Sequence, residues 1–101
     1  MRLFVMFDLP IETAPQRKNY RDFRKFLIQS GFLMLQKSVY TKIAPNSAAA
    51  NAILASIRRN KPKEGLVQVL QVTEKQYEKM ECIVGEVQSN VIDTDERLIV
   101  L

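Results

Sequence analysis

Arg2-Leu3-Phe4-Val5-Met6-Phe7-Asp8 is a nearly continuous apolar run that stops on a single carboxylate. The run is too short for a helix, which needs about ten residues or more, so it reads as a central strand covered on both faces. Asp8 stands where the strand leaves the core, ahead of Leu9-Pro10. A carboxylate in that place is either a turn-former or a ligand for a cation, and the strand pattern leaves both open.

Outward from this strand, Thr13 opens a helix. Its spacing to Gln16 fits a capping box, and Pro15 is tolerated in a first turn. On a wheel of about 100° per residue, Tyr20, Phe23, Phe26 and Leu27 share one arc. Arg17, Lys18, Arg21, Arg24 and Lys25 take the opposite arc, with Asp22 the acid between them. Ser30-Gly31 ends the helix on a glycine cap. Residues 32–43 are strand-like but interrupted by Gln36-Lys37-Ser38, so they form one bulged strand or two short ones. Asn46 or Ser47 caps a second helix, whose buried stripe is Ala49, Ala50, Ile53, Leu54 and Ile57. Arg58, Arg59, Lys61 and Lys63 follow at its negative end. Gly65 opens a strand over Leu66–Val72, and Thr73 with Gln76 starts a short helix near Glu74–Met80. Cys82–Gly85 could be strand, and the last five residues, Arg97–Leu101, are strand again.

Strand, helix, strands, helix, strand is the order of an α+β, ferredoxin-like βαββαβ sandwich, here with an extra C-terminal strand. Residues 1–81 form its core domain and 82–101 a C-terminal extension with an exchanging or docking strand. Two long helices cover one sheet face. The other face, bearing Phe4 and Met6, has no helix left to cover it, which predicts a homodimer.

The 101 residues make one domain with no room for a second core. Histidine is absent, which removes the commonest general acid/base and the commonest zinc ligand. The one cysteine, Cys82, has no partner for an internal disulfide and reads as a small core residue. No signal-peptide pattern or membrane-length apolar stretch appears, which points to a cytoplasmic protein without a membrane partner. The net charge of +4 conceals a division. Residues 1–63 hold twelve Lys/Arg against three acids (12 − 3 = +9), and residues 64–101 hold three against eight (3 − 8 = −5). A basic part suited to a polyanion sits before an acidic part.

Two features carry chemistry. Asp8 alone holds Mg²⁺ poorly, because that ion takes oxygen ligands in an octahedron, usually one or two carboxylates with waters. A two-fold dimer would supply the second carboxylate from the symmetry mate. The cations Arg17, Lys18, Arg21, Arg24 and Lys25, joined by Lys37, Lys42, Arg58 and Arg59, are the footprint of phosphate-backbone binding. With the helix aromatics turned inward, duplex contact fits better than stacking on single strands. Tyr40, in Ser38-Val39-Tyr40, reads as core.

The strand ending in Phe7-Asp8, the helix RKNYRDFRKFLIQSGF, the segment QKSVYTK and the segment VTEKQYEKM occur in this order. Together they resemble the CRISPR-associated protein 2 family, most closely its members from type II systems. The resemblance covers residues 1–81 well. It implies a ferredoxin-like homodimer acting in spacer acquisition, bridging dimers of the integrase subunit, CRISPR-associated protein 1, on double-stranded pre-spacer DNA. It also implies an alternative: a Mg²⁺-dependent endonuclease on single-stranded RNA or double-stranded DNA, with Asp8 as catalytic metal ligand. Arg17, Arg21 and Arg24 match the family's basic first-helix residues in type. One departure bears on the chemistry. Many members carry Tyr before the aspartate, whereas Phe7 has no hydroxyl to orient the carboxylate or a water. Leu98, Ile99, Val100 and Leu101 match the strand that crosses to a partner subunit or the integrase, and an unpaired strand is a template for another chain. The favoured reading is a duplex-binding architectural subunit, with the endonuclease second. A regulatory or toxin-like dimer that binds no DNA comes third.

Overall fold

In the computed structural model of the chain, which describes residues 1–86, the apolar run is the strand β1 (Arg2–Asp8). It is followed by α1 (Ala14–Gln29), β2 (Leu33–Gln36), β3 (Val39–Ile43), α2 (Ser47–Arg59), β4 (Leu66–Val72) and α3 (Glu74–Glu78). The sheet order is β2-β3-β1-β4 with every neighbouring pair antiparallel. Each long helix therefore links two strands across a third that lies between them. This is the ferredoxin-like α+β arrangement, with α3 appended. The interruption at 36–38 resolves as a tight β2–β3 connection with a register shift between Met34 and Gln36.

Local chemistry sets the boundaries. Thr13 and Gln16 form a reciprocal capping box on α1, and Gly31, at φ +92°, follows its last turn. The Asn46 side chain accepts from the Ala49 amide and so caps α2. A second box, Thr73 with Gln76, starts α3.

The period of two in β1 divides its side chains between the faces. Leu3, Val5 and Phe7 point under the helices. Val5 and Phe7 join Phe23, Leu27, Phe32, Tyr40 and Ile57, while Leu3 packs with Ala44 and Ala50. Phe7 is the hub of the aromatics, with Phe23 edge-on at 5.3 Å, Tyr20 edge-on at 5.9 Å and Tyr40 stacked at 5.7 Å.

The other face corrects the expectation that nothing covers Phe4. Tyr77 of α3 packs on Phe4 at 5.6 Å, and Phe4 is buried. Arg2 fastens that contact. Its Nε and Nη2 donate to the two carboxylate oxygens of Glu74, each at 2.9 Å, and its guanidinium lies 3.9 Å from the Tyr77 ring centre. Thr41, beside Phe4 in the register, is buried too, but much of the rest of the face is open. Leu33, Ile43, Leu66 and Leu70, which the register places on the side of Phe4 and Arg2 or Asp8, are 44–55 % exposed. Cys82–Gly85 is not a strand, and Cys82 is exposed instead of buried in the core. Acidic and polar neighbours leave that segment no alternating apolar face to bury. The expected strand with Leu98, Ile99, Val100 and Leu101 lies outside the described residues.

The Glu74 carboxyl is held below the usual glutamate range, first by its hydrogen bonds from Arg2. A depressed carboxylate stabilises the docked state above its unfolded value and loses that contribution as pH falls through the folded one. Titration below about pH 4.3 should therefore release Tyr77 from Phe4, read from the Tyr77 ring resonances by NMR. Glu74→Gln should loosen it already at neutral pH. Tyr77 resonances that do not move when Glu74 is neutralised, whether by acid or by Glu74→Gln, would contradict this latch.

Candidate nucleic-acid interface

Burying Phe7 sends the next side chain to the opposite face, so Asp8 is exposed at the end of β1. Among the described residues its carboxylate accepts no side-chain or backbone hydrogen bond, so it is not a turn cap. The Phe7 amide donates to the Ser38 carbonyl at 3.0 Å, which ties the β2–β3 turn to this strand end. Leu9 turns back into the core. Gly65, at φ +99°, sits directly against the pair. A Cβ there would lie 2.6 Å from Leu9 Cδ2 and 2.9 Å from the Asp8 carbonyl oxygen.

An open cleft of about 720 Å³ lies at this corner, lined by Asp8, Leu9, Ile11, Arg17, Tyr20, Arg21, Arg24, Met34, Lys37 and Ser38. The helix supplies its cations in a row. Arg17, Arg21 and Arg24 are spaced i, i+4, i+7 and share one flank of α1. Arg17 Nη1 donates to the carbonyls of Ile11 and Glu12 at 3.2 and 3.0 Å, which ties it to the loop before the helix. Arg24 Nε donates to the Tyr40 hydroxyl at 2.8 Å. Arg21 and Lys37 make no hydrogen bond with the described residues.

The single solvent stripe expected on this helix is thus two rows. Lys18 and Lys25 do not line the cleft, and Lys18 is paired with Asp22 at 2.7 Å, an exposed i,i+4 bridge. That pairing, first through its hydrogen bond, holds the Asp22 carboxyl below its ordinary value. Lys42 also departs from the expected surface. It lies on the helix side of β3, where its Nζ donates to the Ser30 carbonyl and caps the end of α1. Arg58 and Arg59 are exposed at the end of α2, away from the cleft lining. Tyr20, expected to face inward, is half-buried and shows its remaining surface to the cleft. The signal is in the wheel, which puts it about 40° from Arg24 and about 60° from Arg17.

A scan for protein families matches residues 1–80 to the model described as CRISPR associated protein Cas2. The chain belongs to the Cas2 family. It is similar to the CRISPR-associated endoribonuclease Cas2 of Treponema denticola, 57 % identical over 101 residues and the full length of both chains. The protein of that name from Streptococcus mutans is 46 % identical, over all of this chain and 93 % of its own. The crystal structure of Streptococcus pyogenes Cas2 covers 83 % of this chain and 100 % of its own, with a TM-score of 0.61. At 20 % identity it speaks for the shared fold. In this Cas2-family chain no group of three or more His, Cys, Asp or Glu is placed to hold a metal among the described residues, and Asp8 is the one carboxylate among the residues lining the cleft. Among the same residues no helix is long and apolar enough to cross a membrane.

Gly65 is a positional requirement of the site that residue type and spacing do not reveal. Gly65→Ala forces both a left-handed backbone and a close approach to Asp8. It should cost about 1–3 kcal/mol in urea unfolding, and more than Gly85→Ala, whose Cβ would meet nothing within 4 Å. Equal effects of the two substitutions would mean that the Asp8 strand end is not tightly packed.

Proposed function

We propose that the chain is a duplex-DNA-binding architectural subunit of the CRISPR spacer-acquisition complex. The observation that carries this is the cleft itself, where Arg17, Arg21, Arg24 and Lys37 converge on one corner of the sheet beside an apolar floor. Four cations against one carboxylate attract a phosphate backbone and give no means of reading base edges. The half-open apolar face of the sheet suits a second copy of the chain, which would bring two such clefts onto one continuous duplex. The pre-spacer duplex and the integrase subunit, CRISPR-associated protein 1, are the partners of this reading.

A second reading, a metal-dependent endonuclease, draws on a specific observation. Asp8 is exposed in the same cleft with no hydrogen bond from the described residues, and the relatives bear the name endoribonuclease. Asp8 together with the Asp8 of a second copy would be the residues to hold a Mg²⁺ ion, which usually takes one or two carboxylates. Such an ion supplies Lewis-acid activation of water and neutralises charge on the phosphate. With no histidine in the chain, this side of the chemistry has no imidazole base to share it.

Replacing Arg17, Arg21 and Arg24 with Glu should weaken duplex binding alike for unrelated sequences, in a titration by fluorescence anisotropy. It should also flatten the dependence of log K on log salt by about 0.9 for each phosphate no longer neutralised. Lys18→Glu with Lys25→Glu should do less. Equal weakening by both sets would show a solvated helix face and no built site. Asp8→Ala separates the two functions. It should leave duplex binding and spacer integration nearly intact while abolishing any Mg²⁺-dependent cleavage. A folded Asp8→Ala protein that cannot support integration would overturn the architectural reading.

A further inference from the structure

Tyr40 has no exposed surface, and its ring stacks on Phe7 with 24° between the planes. It packs among Phe23, Leu27, Phe32 and Ile57. A phenylalanine would fill that space equally well. The hydroxyl that tyrosine adds reaches the edge of the core and accepts from Nε of Arg24 at 2.8 Å. Arg24 is itself exposed and lines the cleft. With Nε engaged, the two terminal nitrogens of its guanidinium remain for an outside acceptor, and they form the fork that meets a phosphate through two parallel hydrogen bonds.

The other cleft cations are held differently. Arg17 is tied to loop carbonyls, and Arg21 and Lys37 hydrogen-bond to none of the described residues. Among these four, Arg24 alone is anchored from inside the core. An arginine fixed before its ligand arrives loses less rotamer freedom on binding than one that swings in solvent. We infer that Tyr40 is a positioning residue for nucleic-acid binding, its buried hydroxyl holding the Arg24 guanidinium with the terminal nitrogens presented to a backbone phosphate. The inference rests on the phosphate-binding reading of the cleft, and its test separates the two.

The test is a double-substitution cycle on the full chain, with Tyr40→Phe, Arg24→Ala and both together. Binding is measured against a mixed-sequence DNA duplex at several salt concentrations. Tyr40→Phe should weaken binding about two- to tenfold in the wild-type background and have no effect in the Arg24→Ala background. Arg24→Lys keeps the charge but cannot reproduce the anchored fork, and it should bind weakly and be equally insensitive to Tyr40→Phe. A merely structural hydroxyl would lower thermal stability and leave affinity and its salt dependence unmoved. Tyr40→Phe that binds like wild type while Arg24→Ala binds weakly would overturn the positioning role and leave the cleft reading standing. Arg24→Ala that binds like wild type would overturn both.

Discussion

Everything at the candidate site depends on the alternation of side chains at the end of β1. Phe7 is pinned into the core by three aromatic rings from α1 and β3. Because successive strand residues face opposite ways, that burial obliges Asp8 to leave the core at a fixed point. The same rings belong to the elements that carry the cations. Tyr20 and Phe23 fix α1, with Arg17, Arg21 and Arg24 on its flank, and Tyr40 fixes β3 next to the turn bearing Lys37. The hydrophobic core thus sets the spacing between one carboxylate and four cations, with no direct bond among them in the structure.

The opposite face of the sheet has a different balance. Arg2, Glu74 and Tyr77 hold α3 over Phe4, so the short helix covers part of what two long helices cannot. Leu33, Ile43, Leu66 and Leu70 remain half in solvent on this face. The proposed second copy of the chain would bury it.

Much of this is legible in the sequence because it depends on local patterns. The continuous apolar run names the central strand. Thr13/Gln16 and Thr73/Gln76 name two helix starts, and Asn46 a third. The stripe Ala49, Ala50, Ile53, Leu54 and Ile57 names the buried side of α2. What escapes depends on neighbours far apart in the chain. Residue type and spacing assign a lysine to a surface, yet only the β3–α1 packing shows Lys42 engaged by the Ser30 carbonyl. A helical wheel puts Tyr20 at the border between the aromatic arc and Arg24 but does not show how far the sheet extends beneath it. That extent decides that part of its ring is left to the cleft and that the cations split into two rows. Gly65 reads as a strand opener, and its close approach to Asp8 arises from the β1–β4 register. Residue type alone assigns Cys82 to the core and cannot weigh the acidic segment around it.

The central claim is that one cleft, bounded by the end of β1, the flank of α1 and the β2–β3 turn, receives the phosphate backbone. Titrating the isotopically labelled chain with a DNA duplex and following its amide resonances tests that claim at residue resolution. The largest shifts should cluster at Asp8, Ile11, Arg17, Arg21, Arg24, Lys37 and Ser38. Shifts confined to Lys18, Lys25 and the end of α2, with the cleft unmoved, would contradict the account.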